Sequence, residues 1–373
     1  LIEAISSAAR AQCPDWRAQE LANTSWAFAK MGILDKPLLQ AIASRSMPLV
    51  ANFTPQEIVN TSWAFAQLLF LDTPLMDALS AEVLQTSRDW TPRDLANTAW
   101  AWARLMKIDD PLFEAIASAS LPKIPLMNQQ DLSNTAWAYA KRELQIAPLL
   151  QAIAPAALHK RASVDSRSLS LIAWAISKLD IGDLPLMTAL ASSSMRLITE
   201  AQPQGLANTV WALSIRLVKH SPLLDAIAAA SLHMITQFGQ QELGNTSWAF
   251  AELRVHHVPL MSAISAAAIR SVDVHAPVGM DGNEASRSSY AIAWAQGRLA
   301  FADEALKLVA RHVVHGQCHG LSYGLIVSEE EWRRLAPTEG ALATLQTVAG
   351  TCREQSAVSM VHRSNVEACA DEK

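Results

Sequence analysis

Three polar positions recur along this chain at spacings that could present hydrogen-bonding groups to a single-stranded nucleic acid. The first holds Gln19, Gln56, Arg93, Gln130, Arg167, Gln204, Gln241 and Arg287. The second holds Asn23, Asn60, Asn97, Asn134, Asn208 and Asn245, and the third holds Lys30, Arg104, Lys141, Lys178 and Arg298. Gln, Asn and Arg can each form paired hydrogen bonds with a base edge, whereas Lys and Arg suit phosphates. Each position keeps a constant offset from a tryptophan: seven residues before it, three before it and four after it. On a helix those offsets fall within about 40 degrees, so every unit offers one aligned row. One row per unit is what a modular reader of single-stranded RNA needs, at one nucleotide per repeat with the row-bearing helix facing inward. The same asparagines have a structural reading, a hydrogen-bonded ladder between neighbouring helices, with the Gln supporting the helix N-terminus.

Other chemistry is sparse. His312, His315, Cys318 and His319 stand close together, but no second cluster at suitable spacing completes a metal site. There is no glycine-rich phosphate loop, nucleophile elbow or His-Glu zinc helix, so neither an enzyme nor a cofactor is expected. Cys13, Cys318, Cys352 and Cys369 are widely scattered, which fits a reducing compartment better than a disulfide framework. The net charge of -5 supplies no bulk attraction to nucleic acid, so any basic surface must be a local stripe. Asp, Lys, His or Pro interrupts every hydrophobic stretch, and membrane insertion is not expected.

The rows need helices to hold them, and a 37-residue repeat provides these. Trp26, Trp63, Trp100, Trp137, Trp174, Trp211 and Trp248 follow one another at that interval, and Trp294 comes 46 residues later. The phrase Leu-Ala-Asn-Thr-Ser-Trp-Ala-Phe-Ala at 21–29 is echoed at 58–66, 95–103, 132–140, 206–214 and 243–251. Thr54-Pro55-Gln56-Glu57 reads as an N-cap, a first-turn proline and an acidic third residue; Thr91, Asn128 and Asp165 take the same cap position. A first helix is therefore predicted from about nine residues before each tryptophan to about six after it. A proline eleven residues after the tryptophan, from Pro37 to Pro259, opens a shorter second helix.

One hairpin cannot bury the wide apolar arc of its first helix, but stacked hairpins can. The expected fold is all-α: a right-handed α-solenoid, or superhelix, of about eight 37-residue helix-turn-helix repeats. Each tryptophan is expected to fill the groove between adjacent hairpins, with a base-stacking platform as the other reading. Thr24 and its equivalents are expected to bond back to a carbonyl one turn earlier. Asn-Thr-Ser at 23–25, 60–62 and 245–247 matches a glycosylation sequon, yet it arises from the repeat and lies within a helix.

The Leu-Ala-Asn-Thr-x-Trp-Ala-x-Ala wording within a 37-residue hairpin resembles the octotricopeptide and heptatricopeptide-type repeats of organellar RNA-binding proteins, over roughly residues 1–314. The resemblance implies an α-superhelix in a chloroplast or mitochondrion that binds single-stranded RNA, or rRNA in an organellar ribosome. RNA processing, stability and translation are the roles it implies, with protein subunits of a large assembly as further partners. A protein-binding scaffold of the same architecture is the alternative, and the acidic net charge favours it. Two units depart from the wording: Leu171-Ile172 and Ala291-Ile292 stand where Asn-Thr is expected.

The domain reading places the repeat array at 1–314, with a partial first unit and a turn-rich insertion at 271–285. A capping tail follows at 315–373, with a strand-like segment over 320–327 and a helix over 329–335. Leu1-Ile2-Glu3-Ala4-Ile5 already fits the second-helix frame, so the chain opens inside a unit and no targeting segment is expected to be readable from it.

Overall fold

The fold is described from a computed structural model, which covers residues 2–160, 165–181 and 184–271. The eighth tryptophan unit with Arg287 and Arg298, the insertion from residue 272 onward, the His312–His319 cluster and the tail lie outside these residues. Among the described residues there are fifteen α-helices, short 3-10 turns and no strand. The chain divides into two compact units, Leu1–Ser193 and Ser194–Lys373.

In the first unit the helices with the tryptophan phrase are α2 (Ala18–Lys30), α4 (Pro55–Gln67), α6 (Pro92–Arg104), α8 (Gln129–Lys141) and α10 (Ser166–Lys178). They lie side by side as one layer, α2 against α4, α4 against α6, α6 against α8 and α8 against α10. The second helices are α1 (Ile2–Gln12), α3 (Lys36–Ser46), α5 (Thr73–Thr86), α7 (Asp110–Ser120), α9 (Ala147–His159) and α11 (Leu184–Arg196), which runs across the division between units. Successive members α1, α3, α5 and α7 pack in order behind the first layer, so the unit is a helical solenoid of stacked hairpins. The second unit repeats the pattern with α12 (Pro203–Ile215), α13 (Ser221–His233), α14 (Gln240–Glu252) and α15 (Val258–Ser271), α12 packing along α14.

Local chemistry sets where these helices start. Thr54 caps α4: its Oγ1 accepts from the Glu57 amide, and the Glu57 carboxylate accepts from the Thr54 amide at 2.7 Å. Thr91 with Asp94 and Asn128 with Asp131 repeat the reciprocal pair, and Asp165 accepts from the Ser168 amide at 2.7 Å. The second helices have caps as well. Asp35, Asp72 and Asp109 accept from the amides of Leu38, Leu75 and Leu112, and His220 and His257 do the same through Nδ1. Each cap satisfies an amide that the helix itself leaves without a partner.

The first helices end earlier than the periodicity predicts, four residues after the tryptophan instead of about six. The cause is a left-handed residue six after it: Gly32, then Leu69, Met106, Glu143, Asp180, Leu217 and Arg254, all with φ between 52° and 68°. At α4 the Leu69 amide bonds the Ala66 carbonyl and the Phe70 amide bonds the Phe65 carbonyl, the paired closure of a Schellman turn. Only the first of these turns has the glycine that would announce it.

The core lies between the two layers. Leu21, Ile58, Leu95 and Leu132 fill it from five residues before each tryptophan; Phe28, Phe65, Trp102 and Tyr139 fill it from two after. Leu38, Leu39 and Ile42 of α3 meet them, as do their equivalents Leu75, Met76 and Leu79 of α5. Burying one such side chain is worth about 1.5–3 kcal/mol. The Tyr139 hydroxyl donates to the Phe113 carbonyl at 2.6 Å, and burial pushes that phenol far above its ordinary range.

The expected back-bonding of the threonines occurs at Thr135 and Thr209, which donate to Asp131 and Gly205 at 2.8 Å. It fails at Thr61, Thr98 and Thr246, whose buried hydroxyls have no partner among the described residues.

Candidate functional site

The face of the first-helix layer turned away from the second helices gathers the residues singled out by spacing. Gln19, Gln56, Arg93, Gln130 and Arg167 are exposed at the second position of α2, α4, α6, α8 and α10. Their side chains make no hydrogen bond among the described residues. In the second unit Gln204 and Gln241 occupy the same position on α12 and α14 and are also exposed. Arg93 lies close enough to Asp131 for its charge to act on that carboxyl. Burial raises the Asp131 pKa above the usual range, against a hydrogen bond from the Asn128 amide and the charge of Arg93.

The asparagines come next along the face. Asn23 is exposed, and Asn60, Asn97, Asn134, Asn208 and Asn245 are half-buried. Asn134 Nδ2 donates to Asn97 Oδ1 at 3.5 Å, one long rung of the ladder that the structural reading expects. The Asn-less α10 places Leu171 there, half-buried, so apolar packing replaces the rung.

The basic residues are tied to the tryptophans. Lys30 Nζ sits 5.5 Å from the centre of the Trp26 ring and 5.6 Å from that of Trp63. The Arg104 guanidinium is 5.3 Å from the Trp100 ring, and its Nε donates to the Ala66 carbonyl at the end of α4, 3.1 Å away. Lys178 lies 5.4 Å from the Trp174 ring and pairs with Glu143 at 3.2 Å. Lys141 is exposed. Arg104 therefore closes a neighbouring helix as well as offering charge, a role that its spacing did not announce.

The tryptophans themselves correct an expectation. They do bridge adjacent hairpins, but on the open side of the layer and outside the core. Trp26 is 42% exposed, and Trp63, Trp100, Trp137, Trp174, Trp211 and Trp248 are half-buried. Successive indoles touch: Trp63 and Trp100 lie 6.4 Å apart at 24°, and Trp100 and Trp137 lie 6.3 Å apart at 34°. The core position is two residues later. Helical geometry explains the displacement: the tryptophan lies only about 20 degrees from the Gln/Arg position on a helical wheel, at the edge of the polar strip and roughly opposite the core position. The wheel that aligned the polar rows already contained this placement, and the size of the indole drew attention away from it.

What the face can do follows from its parts. Half-exposed indoles offer π-faces, the cations above them offer charge, and the Gln/Arg row offers unengaged hydrogen-bonding groups. Among the described residues no group of three or more metal-type side chains forms, and Cys13 is buried, its thiol pushed up by burial against the charge of Arg45. No helix of the described residues is long and apolar enough to cross a membrane.

No curated protein matches the chain. A protein-family model does, that of the RNA-editing substrate-binding complex 6 protein, over residues 1–110 and 88–299. The two stretches overlap, as an array of equivalent units allows, and together they take in the whole tryptophan series from Trp26 to Trp294. On that match the chain belongs to the family of RNA-editing substrate-binding complex 6 proteins.

Proposed function

We propose that this chain is a single-stranded-RNA-binding subunit of an RNA-editing assembly, and that it acts by holding RNA and protein neighbours, without catalysis of its own. The observation that carries the reading is the open face of the first-helix layer, where Gln56, Arg93, Gln130 and Arg167 stand exposed beside partly exposed tryptophans. The family is named for a complex that binds editing substrates, which favours RNA processing over a place on organellar rRNA. We place the protein in an organelle, in the mitochondrion in preference to the chloroplast. The octotricopeptide and heptatricopeptide-type wording of the repeat supports one unit meeting one nucleotide.

A second reading has support of its own. Exposed tryptophan and arginine side chains are favoured anchors of protein interfaces, and the net charge is -5. The same face would then hold a protein subunit of the complex. Titrating the whole chain with single-stranded RNA at several salt concentrations separates the two. Affinity that falls steeply with salt supports RNA binding; no RNA binding at low salt, together with salt-insensitive capture of a subunit, would overturn it.

A further inference from the structure

We infer that the tryptophan ladder of α2 to α10 is itself a base-stacking platform for single-stranded RNA, and that the strand's footprint ends at α10. The inference rests on the RNA-binding reading and adds which side chains carry the contact and where the contact stops.

The ladder is built at a cost in stability that core packing does not require. A large ring repeated at one register position and only partly buried leaves apolar area exposed in each unit although the true core position is only two residues away. That exposure is what a stacking surface needs, because every base has a π-face. Charge complementarity identifies the occupant as a polyanion. The position four after the tryptophan reads Lys30, Gln67, Arg104, Lys141 and Lys178 through the first unit, and three of its four cations rest over indole faces. Arg93 and Arg167 add two more cations on the same face.

The spacing also says how a strand lies. Successive indoles at 6.3 and 6.4 Å are closer than the ~6.8 Å, twice the 3.4 Å stacking rise, that an inserted base needs. Bases therefore do not enter between Trp63, Trp100 and Trp137. At Trp26, Trp63, Trp100 and Trp174 a base takes the place over the ring that a Lys or Arg head now holds, and the released cation moves to the phosphate. Exchanging a cation for a base over the same indole keeps the ring covered while adding an ion pair with the backbone.

The platform ends where the charge does. In α12 and α14 the position four after the tryptophan is Ile215, 39% exposed, and Glu252. The Gln/Arg position there is Gln204 and Gln241. Tryptophans persist in both helices, yet neither of the two recurring positions holds Lys or Arg there, so the repeated charge that would meet phosphates stops at α10. At one nucleotide per unit the footprint is about five nucleotides.

The test uses the full chain, homopolymeric oligouridylates of graded length, and the variants Trp100→Leu, Trp100→Phe and Trp248→Leu, with thermal melts to verify folding. Trp100→Leu should weaken binding about tenfold, Trp100→Phe should recover most of the loss because it keeps a π-face, and Trp248→Leu should bind like the parent. Affinity should stop rising beyond about five or six nucleotides. If Trp100→Leu does not fold, Trp26→Leu, at the most exposed rung, takes its place. Equal binding by the Leu variant and the parent, a Phe variant as weak as the Leu one, or an equal loss at Trp248 would overturn the inference while leaving RNA binding intact. A parent chain that binds no oligouridylate at low salt would instead sink the RNA-binding reading along with it.

Discussion

At the scale of single residues, the neighbours Trp100 and Trp102 make the contrast plainest. Trp102 is fully buried, its indole nitrogen without a partner among the described residues, while Trp100 lies half-buried between Trp63 and Trp137. Trp102→Ala should therefore cost about 3–5 kcal/mol in a denaturant melt, and Trp100→Ala clearly less, reversing the weight that the 37-residue rhythm places on the recurring tryptophan. Asp35 supports a second prediction. Burial pushes its carboxyl up, but hydrogen bonds from Ser6 and the Leu38 amide and the charge of Arg10 outweigh that, leaving it below the ordinary carboxylate range. A lowered pKa means stability that is present above the unfolded-state value and is lost as pH falls through the folded-state value. Asp35→Asn keeps an oxygen for the Leu38 amide, so it should be less stable than the parent at neutral pH, with the gap closing in acid melts. Individual asparagines were legible as polar and aligned, but their partners were not. The contact between Asn97 and Asn134 depends on how closely two helices approach, which no single unit encodes.

At the scale of elements, the repeat wrote its helix starts openly and its first-helix ends hardly at all. Thr54, Thr91, Asn128 and Asp165 are side-chain signals, so the N-termini could be read directly. The matching C-terminal turns rely on backbone hydrogen bonds from residues such as Leu69 and Leu217 in the left-handed region, which side-chain identity does not flag. Each non-glycine residue there has a conformational cost of roughly 1–2 kcal/mol, partly offset by the greater freedom of glycine in the unfolded chain. Leu69 and Leu217 are both 66% exposed, so removing their side chains forfeits little burial. Leu69→Gly and Leu217→Gly should thus each stabilise the array by up to about 1 kcal/mol, seen as a higher denaturant midpoint with an unchanged slope.

At the scale of the whole molecule, repetition made the fold class plain, since one apolar arc recurring every 37 residues admits stacking of hairpins and little else. Which face of the layer stays open was written in the wheel but hidden by chemistry, because a ring as large and apolar as an indole reads as core even where its angle places it beside the polar rows. Arg93, Lys141 and Arg167 lie outside the core in three different hairpins, so replacing all three by Ala should leave the melting temperature nearly unchanged. The same change should lower the salt dependence of RNA affinity, removing about 2 from the slope of log affinity against log salt if each cation meets one phosphate. An unaltered slope would exclude these side chains from backbone contact. Finally, the Lys30 ammonium rests on Trp26 of one hairpin and Trp63 of the next. Drawing that single head away uncovers rings in two hairpins at once, so one base's arrival should ease the next: separate mononucleotides filling the row should give a cooperative saturation curve, whereas a strand that covers the whole row binds as a single ligand and saturates hyperbolically.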